Sequence, residues 1–248
     1  MTTRQSKGAK PHFFITGTDT GAGKTVVCAA LARCLMAGGM TVSVVKPFQT
    51  GCLPGVVCDS EFVHRAMGKS FVPSVSSPCR LREPLAPMMA ARIEGAEIDV
   101  AKVMEVIGEQ SRTHDAVIVE GAGGLIVPIS EGYFMADFAA DLGFRTVIAA
   151  RAGLGTLNHT ILTVEAARAR GLEVAGVVIC GYPSPAGVCE ETNLAFLRTE
   201  EERVGKVAGV IPFIEGLDVE DGAAEGLARE DCRRFFTAEL FGVLGEES

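Results

Sequence analysis

A glycine-rich stretch that ends in Lys24 and Thr25 carries the strongest chemical signal in the chain. It has the sequence GTDTGAGKT over residues 17–25 and lies between an apolar strand candidate and an apolar helix candidate. Glycines let successive backbone N–H groups point at one anion, and the following helix adds free amides and the positive end of its dipole. Lys24 could then reach the β- and γ-phosphates while Thr25 binds Mg2+, so the stretch predicts a nucleoside triphosphate site but no particular reaction.

The glycine spacing of this stretch differs slightly from the common G-x-x-x-x-G-K-[ST] pattern. Thr18 occupies the first glycine position of that pattern, and the leading glycine, Gly17, comes one residue earlier. A purely structural glycine turn is therefore the alternative. The strand before the stretch and the helix after it favour phosphate binding.

Two carboxylates, Glu120 and Asp59, are candidate ligands for the Mg2+ that accompanies a triphosphate, since such an ion takes only one or two carboxylates. Glu120 follows the apolar run AVIV and precedes the small-residue run GAGG. Ligand groups of parallel sheets lie at the carboxyl ends of strands, so we expect Glu120 at the same edge as the phosphate loop. A solvated acid at a strand end is the alternative. Asp59 opens the run DSEF and, by its position alone, could equally be a helix N-cap.

A second lysine, Lys46, ends another apolar run and is followed by the residues PFQTG. A lysine at the carboxyl end of a buried strand would point into the crevice that holds the phosphate loop. The proline and glycine after it fix a turn that could carry Thr50 inward. An ordinary surface lysine is the alternative.

Six strands are predicted to position these residues, because short β-rich runs alternate with helical patterns. The runs are almost continuously apolar, which is typical of strands buried on both faces of a parallel sheet. The alternation predicts an α/β fold with a mostly parallel central sheet flanked by helices in three layers. The predicted strands are residues 12–16, 41–46, 116–120, 146–150, 174–179 and 207–211. The predicted helices are residues 24–37, 60–67, 100–111, 135–142, 158–170 and 188–204.

Three segments are expected to lie outside this regular pattern. Residues 70–87 are rich in proline and serine and are predicted to loop over one face of the molecule. The acidic region from residue 215 is expected to be partly loose before a last helix near residues 231–240. The polar and basic residues 1–11 are expected to be flexible.

The bulk composition excludes several classes of protein. With 48% hydrophobic residues in 248, the chain can bury a core, and residues 1–248 are interpreted as one domain. A net charge of −8 argues against a nucleic-acid partner. The eight cysteines form no C-x-x-C pair, which indicates free thiols in a reducing cytosol. The first residues lack the apolar core of a signal peptide, and the apolar stretch 26–37 is too short to span a bilayer, so we expect a cytoplasmic protein with no membrane partner.

Five stretches together resemble the dethiobiotin synthetases, a family of P-loop enzymes. They stand in the order of that family and at roughly its spacing, and the resemblance extends over residues 12–244. The stretches are TGTDTGAGKT at residues 16–25, KPFQTG at 46–51, EGAGG at 120–124, LGTLNHTILT at 154–163 and GVIPF at 209–213. The fourth is the most specific of these, because other P-loop relatives lack it.

The resemblance implies a role for each matching position. Lys46 and Lys24 would be the catalytic residues, and Thr25, Asp59 and Glu120 would hold Mg2+. Substrate contacts would come from Thr50 and from the turn of Gly155, Thr156, Leu157 and Asn158. Nucleotide contacts would come from Gly21, Ala22, Gly23, Lys24, Thr25, Val26, Asp59, Glu120, Gly121, Ala122, Gly123, Cys180, Gly181, Pro212 and Phe213.

The chemistry implied by the resemblance is ATP- and Mg2+-dependent closure of a cyclic urea in biotin biosynthesis. Its substrates would be 7,8-diaminopelargonic acid, CO2 or bicarbonate, and ATP. A carbamate and a carbamic-phosphoric anhydride would be the intermediates. The turn at residues 155–158 would bind the substrate carboxylate. In the family this contact comes from the other subunit, so a homodimer is implied. A helix N-terminus is independently suited to binding a carboxylate.

Two positions depart from the family pattern. Cys180 and Gly181 follow the apolar run VVI where the family often has an asparagine that contacts adenine. A thiol is a weak donor and acceptor, which leaves the base preference open. Met88 stands where a histidine is expected, and the sequence assigns no consequence to that change.

Three other functions are alternatives to the ligase activity. A switch or partitioning ATPase usually has an extra lysine at the start of its phosphate loop, where this chain has Thr16 and Gly17, and often ends in an amphipathic membrane helix. A cobyrinate-type amide synthetase would need a glutamine-hydrolysing domain as well. The third alternative is a family member that only binds nucleotide, and Cys180 is the single residue that supports it.

Overall fold

The computed structural model describes residues 10–241 and has a six-stranded parallel sheet at its centre. The described strands are β1 Phe13–Gly17, β2 Val42–Val45, β3 Phe48–Gln49, β4 Cys79–Arg80, β5 Ala116–Gly124, β6 Pro128–Ser130, β7 Tyr133–Phe134, β8 Arg145–Arg151, β9 Val174–Tyr182 and β10 Val207–Pro212. The central sheet has the order β10-β9-β8-β1-β5-β2, and each neighbouring pair in it is parallel. The other strands form two short pairs, β3 with β4 and β6 with β7.

Helices pack on both faces of this sheet, which confirms the predicted three-layer α/β class. The described α-helices are α1 Lys24–Ala37, α2 Asp59–Ala66, α3 Pro73–Ser76, α4 Pro87–Glu94, α5 Val100–Thr113, α6 Met135–Leu142, α7 Thr156–Ala169, α8 Val188–Thr199, α9 Glu201–Val204, α10 Glu225–Ala228 and α11 Ala238–Phe241, with a 3-10 helix at Cys232–Phe235.

Strand β1 shows why the runs are continuously apolar. Phe13 and Ile15 pack in the cluster that contains Leu31 of α1, whereas Phe14 points to the other face and packs with Phe138 of α6. All of these side chains are fully buried. Successive strand residues alternate between faces, so a strand with helices on both sides needs an apolar residue at every position. Each such side chain contributes roughly 1.5–3 kcal/mol by its burial.

The parallel strands bring several separate segments to one edge of the sheet. Strands β1, β5, β8, β9 and β10 all run in the same direction, so their carboxyl ends lie along the same side. The residues at those ends are Gly17, Gly124, Arg151, Tyr182 and Pro212. Binding sites of parallel α/β sheets form along this edge.

Three sequence-based element predictions were wrong. The helix predicted over residues 188–204 is two helices that meet at Glu200, where α8 ends and α9 begins. The segment 70–87 is not only a loop, since it contains α3 and β4. The helix predicted near residues 231–240 is broken, because Phe236 is extended and forms an antiparallel bridge with Gly209 at the edge of β10.

The predicted flexibility of residues 1–11 falls almost entirely outside the described residues. Lys10 and Pro11 are described: the Lys10 Nζ donates to the backbone oxygens of Ser111 and His114, at 2.8 Å in each case, and Pro11 is buried. Among residues 10–241, no helix has both the length and the apolar character needed to cross a bilayer.

Candidate active site

The phosphate loop joins β1 to α1 and depends on glycines at two left-handed positions. Gly21 and Gly23 have φ values of 75° and 93°, a region in which a side chain is strained. Gly23 is also tightly packed, because a Cβ there would lie 2.6 Å from the Cβ of Cys180. The loop can therefore approach β9 only with glycine at this position.

Lys24 is the first residue of α1, and its side chain folds back over the loop. The Lys24 Nζ donates to the carbonyl oxygen of Asp19 at 3.1 Å. A Cβ on Gly17 would lie 2.8 Å from that oxygen and 3.1 Å from the Lys24 Nζ, so the early leading glycine makes room for the lysine. Burial lowers the pKa of Lys24, although the charge of Glu120 acts in the opposite direction.

Lys46 lies at the centre of a buried ion cluster. Its Nζ donates to Glu120 Oε1 at 2.9 Å and forms an ion pair with the Asp59 carboxylate. The Thr25 hydroxyl donates to the same Glu120 oxygen at 2.8 Å. Lys46 and Glu120 are 7% and 1% exposed, so these charges meet largely out of water. The fold thus gathers four residues from four separate segments of the chain.

The ion cluster keeps Lys46 and Asp59 charged. Burial alone would lower the pKa of Lys46, but Glu120 and Asp59 outweigh burial and raise that pKa above its ordinary value. Burial likewise would raise the pKa of Asp59, but Lys46 outweighs it and lowers the pKa of Asp59. Lys46 is therefore a fixed cation near neutral pH, suited to stabilising negative charge rather than to removing a proton.

Asp59 is the first residue of α2 and not its N-cap, a position that Cys58 occupies. The Asp59 carboxylate accepts hydrogen bonds from Lys46 and from the Gln49 Nε2, the latter at 3.3 Å. The capping role that the local sequence allowed is therefore wrong. The distant lysine determines where the carboxylate points.

The oxygen atoms around Glu120 fit a divalent cation such as Mg2+. The second carboxylate oxygen of Glu120, Oε2, is buried without a hydrogen-bond partner, which is rare for a charged oxygen. The Thr25 hydroxyl and the Asp59 carboxylate border the same cluster. Residues 10–241 contain no group of three His, Cys, Asp or Glu side chains placed to hold a metal, so an ion here would depend on waters and phosphate oxygens as well.

A cavity of about 730 Å³ opens over this cluster. It is lined by most of the residues predicted for phosphate, metal and substrate. Those predicted residues are Gly21, Gly23, Lys24, Thr25, Val26, Lys46, Thr50, Asp59, Glu120, Ala122 and Gly123. We call this the phosphate cavity.

A second cavity of about 430 Å³ also borders the phosphate loop. It shares Gly21, Gly23 and Val26 with the phosphate cavity and extends to the ends of β9 and β10. The predicted residues that line it are Gly21, Ala22, Gly23, Val26, Cys180, Gly181, Pro212 and Phe213. We call this the base cavity, because Cys180 and Gly181 are predicted to lie beside the base of the nucleotide.

Cys180 lines the base cavity and packs against the phosphate loop. Its sulfur lies 3.9 Å from the carbonyl oxygen of Gly23 and 3.7 Å from that of Val178. Burial raises the pKa of the Cys180 thiol to about 12. The side chain therefore faces the protein backbone as a neutral thiol.

Five predicted site residues line neither cavity. Gly121 is packed inside the protein, since a Cβ there would lie 3.0 Å from Phe14 and 3.5 Å from Met135. Gly121 lines neither cavity, and its contact with a nucleotide stays a prediction. The four residues of the α7 turn line neither cavity: Gly155, Thr156, Leu157 and Asn158. Helix α7 begins at Thr156, two residues earlier than predicted.

Several cavity residues were not predicted from the sequence. Arg151 ends β8 and lines the base cavity, so the strand-end argument that found Lys46 could have found it. Gln49 lies inside the KPFQTG stretch and lines the phosphate cavity. Four residues of the phosphate cavity directly precede Met88, the position where a histidine is expected: Pro84, Leu85, Ala86 and Pro87. The other residues had no recognisable signal: Val127, Val219 and Glu220 in the phosphate cavity, and Ala152, Gly153, Pro183, Glu190, Ile214 and Leu217 in the base cavity.

The acidic segment after residue 215 forms a defined turn beside the cavities rather than the loose region predicted. Asp218 Oδ1 accepts hydrogen bonds from the backbone N–H groups of Glu220 and Asp221, at 2.9 and 3.1 Å. Asp218 and Ala223 form a short antiparallel bridge. These contacts place Val219 against the phosphate cavity.

The fold and the loop-and-lysine site define a P-loop protein of the α/β class. A protein-family profile described as "AAA domain" matches residues 12–221. Two solved structures share the fold: the cell division ATPase MinD of Pyrococcus furiosus, with a TM-score of 0.56 and 16% identity, and a ParA family ATPase of Chlorobium tepidum TLS, with 0.52 and 15%. The alignments cover 94% and 92% of this chain and 98% and 97% of those chains, respectively.

Curated relatives identify the family within that class. The chain is 48% identical to the ATP-dependent dethiobiotin synthetase BioD of Anaeromyxobacter dehalogenans over 67% of this chain and 74% of the relative. It is 42% identical to the BioD protein of Rhodococcus jostii over 87% of each chain. The chain therefore belongs to the ATP-dependent dethiobiotin synthetase family, and it is an ATP-dependent ligase.

Proposed function

We propose that the protein closes the cyclic urea of dethiobiotin from 7,8-diaminopelargonic acid, CO2 and ATP. The observation that carries the proposal is the placement of Lys46 beside the phosphate loop, between Glu120 and Asp59, in a chain whose relatives are dethiobiotin synthetases. Two buried lysines and two acids surround the phosphate cavity. That set suits charge stabilisation during phosphoryl transfer.

The proposed reaction has three steps. One amine of the substrate adds to CO2 and loses a proton, which gives a carbamate. A carbamate oxygen then attacks the γ-phosphorus, the bond from that phosphorus to the bridging oxygen breaks, and ADP leaves. The second amine attacks the carbon of the resulting carbamic-phosphoric anhydride and loses a proton, the carbon–oxygen bond to phosphate breaks, and the ring closes with release of inorganic phosphate.

Lys24 and Lys46 supply positive charge for the phosphoryl transfer. Backbone amides of Gly21 to Thr25 would cradle the phosphates, because the loop runs into the N-terminus of α1. Lys46, held charged by its two acids, would face the carbamate and the γ-phosphate. Fixed charges in a buried site stabilise the transition state without reorganisation of their surroundings. This electrostatic stabilisation is usually the largest contribution to the rate enhancement.

Thr25, Asp59 and Glu120 are proposed to hold Mg2+. The unpartnered buried oxygen of Glu120 supports this assignment. When bound, Mg2+ neutralises phosphate charge and orients the β- and γ-oxygens. ATP binding measured by calorimetry should weaken when Mg2+ is removed, and Asp59→Asn should reduce that dependence on Mg2+. Equal ATP affinity with and without Mg2+ would contradict the assignment.

The α7 turn is proposed to bind the substrate carboxylate across a homodimer interface. Gly155, Thr156, Leu157 and Asn158 lie outside both cavities of their own chain, and the preceding Leu154 is 95% exposed. The amides at the start of α7, a helix of 14 residues, suit a carboxylate. Thr50 would contact the substrate from the same chain as the phosphate cavity.

The proposed activity is tested by phosphate release from Mg-ATP and bicarbonate, with and without 7,8-diaminopelargonic acid. Release that requires the diamine, together with a cyclic urea product, would support the ligase. Release without the diamine would contradict it and favour a switch ATPase. Because the Cys180 thiol is itself a weak donor and acceptor, the base preference is open, and GTP and CTP belong in the same assay.

A further inference from the structure

A hydrogen-bonded segment behind the ion cluster holds the backbone of Lys46. The Lys46 N–H donates to the carbonyl oxygen of Ser76 at 2.9 Å, and the Ser77 hydroxyl donates to the carbonyl oxygen of Lys46 at 3.1 Å. Ser76 and Ser77 are 3% and 1% exposed. The peptide groups on both sides of the Lys46 Cα are thus fixed by one short segment at α3.

His64 connects this segment to α2. Its Nδ1 lies 2.7 Å from the carbonyl oxygen of Ser60, and its Nε2 lies 3.0 Å from the Ser76 hydroxyl. A carbonyl oxygen only accepts, so the Nδ1 must carry the proton. The Nε2 of a neutral ring is then the acceptor, and the Ser76 hydroxyl donates to it. The geometry therefore defines one tautomer of one buried side chain.

These contacts close a ring around Lys46. From the Lys46 backbone the ring passes through Ser76 and His64 to Ser60, and the neighbouring Asp59 returns it to the Lys46 ammonium. We propose that His64 is a positioning residue, which sets the geometry of Lys46 by linking the segment that holds its backbone to the helix that holds its charge. This inference rests on the proposed role of Lys46 in turnover.

The surroundings of His64 favour the neutral ring that this arrangement needs. Burial lowers the pKa of His64; the hydrogen bond to Ser60 opposes this effect, and the nearby charge of Lys69 adds to it. The ring also meets Phe71 edge-on, with centroids 5.8 Å apart. A protonated ring could not accept from Ser76; its Nε2–H would have to donate to the Ser76 hydroxyl oxygen instead, which reverses the direction of this hydrogen bond.

The first test measures the tautomer directly. Nitrogen-15 NMR of protein labelled in its histidines should show His64 with a protonated Nδ1 and an unprotonated Nε2 at neutral pH. In Ser76→Ala the Nε2 resonance should shift while the Nδ1 proton remains. A ring protonated at Nε2, or a spectrum that Ser76→Ala leaves unchanged, would overturn the inference whatever the enzyme does.

The second test separates positioning from stability. His64→Phe and Ser76→Ala should each lower kcat by about tenfold or more while the KM for ATP stays nearly constant, since small displacements of a catalytic group mainly affect the chemical step. The double variant should lose no more than the worse single variant, because both changes open the same ring. His64→Gln, which can still accept from Ser76, should recover part of kcat. Additive losses, or a normal kcat in both single variants, would overturn the inference.

His12 provides a matched control at the opposite edge of the sheet. Its Nδ1 accepts from the Val117 N–H at 3.1 Å, and its ring packs on Phe144. His12→Phe should lower the thermal midpoint but leave kcat and KM unchanged. A wild-type protein without diamine-dependent turnover would overturn the proposed function itself, whereas wild-type turnover with normal kcat in His64→Phe would overturn only the role of His64.

Discussion

Lys46 is a charged side chain in a place that disfavours charge. It is 7% exposed, and two carboxylates compensate for the lost hydration. Removing one member of such a buried cluster leaves the others unpaired, at a cost of about 3–5 kcal/mol. The fold thus provides a fixed positive charge at the phosphate cavity, which is what phosphoryl transfer needs.

Lys46→Ala should abolish most turnover but leave nucleotide binding largely intact. The expected loss in kcat is roughly 10²–10³-fold, the usual cost of removing one preorganised charge from a transition state. Initial rates of phosphate release and calorimetric titration with Mg-ATP measure the two effects separately. Near-normal turnover, in protein whose circular dichroism matches wild type, would contradict the role of Lys46.

His64 should make stability depend on pH. Its pKa is lowered by burial from the ordinary value of 6.5, so the unfolded chain takes up a proton at a higher pH than the folded protein. The stabilisation by neutral His64 is therefore complete above about pH 6.5 and declines as the pH falls through that value. Urea unfolding at neutral and mildly acidic pH should show a smaller loss in His64→Phe than in wild type. Parallel losses in the two proteins would contradict this prediction.

At the scale of elements, the phosphate loop joins β1 to α1 and presses against β9. The loop can do so because Gly23 has no side chain to collide with Cys180. Gly21 has a similar backbone conformation but faces open space. Substitutions at these two glycines can therefore separate the free-energy cost of the left-handed conformation from that of the steric contact with Cys180.

Gly23→Ala should weaken nucleotide binding and stability more than Gly21→Ala. Both substitutions place a side chain in the left-handed region, at a cost of about 1–2 kcal/mol. Only the Cβ at residue 23 meets Cys180, at 2.6 Å, so only that variant must also shift the loop or β9. Thermal midpoints and Mg-ATP dissociation constants of the two variants provide the comparison. Equal effects would show that the Cys180 contact is unimportant.

At the scale of the whole molecule, large apolar side chains are exposed around the α7 turn. Leu154 precedes the turn and is 95% exposed, and Leu162 on α7 is 55% exposed. Exposed apolar residues near a predicted substrate contact are expected where a second subunit packs. Ile93 on α4 is 65% exposed and offers a comparable apolar site elsewhere.

Leu154→Asp should reduce both dimerisation and turnover while leaving the fold intact. A charge at the centre of an apolar interface stays unpaired there, whereas in a monomer it remains in water. Sedimentation velocity and steady-state rates measure the two outcomes, with Ile93→Asp as the matched control. A monomeric wild type, or a Leu154→Asp variant with normal turnover, would contradict the proposed interface.

Segments with a strong local pattern were predicted well from the sequence. Helix α1 was predicted with its observed bounds, and the six sheet strands were found with small boundary errors, because continuous apolar runs bounded by glycines identify buried parallel strands. The segment at residues 188–204 was predicted as one helix, since nothing in its local sequence announces the break at Glu200. The acidic turn at Asp218 was missed although its contacts are local, because an aspartate that accepts from the amides of the next residues is a turn signal that the acidic composition of the segment obscured.

The sequence by itself determined the class of fold, the phosphate loop and the family, because these depend on residue type and order along the chain. Tertiary structure alone decided that Asp59 pairs with Lys46 instead of capping α2, that Gly121 packs close to Phe14 and Met135, and that His64 links α2 to the backbone of Lys46. The physical reason is that the local sequence limits the partners with which a side chain can interact but does not choose among them. The packing of distant segments then selects one of them.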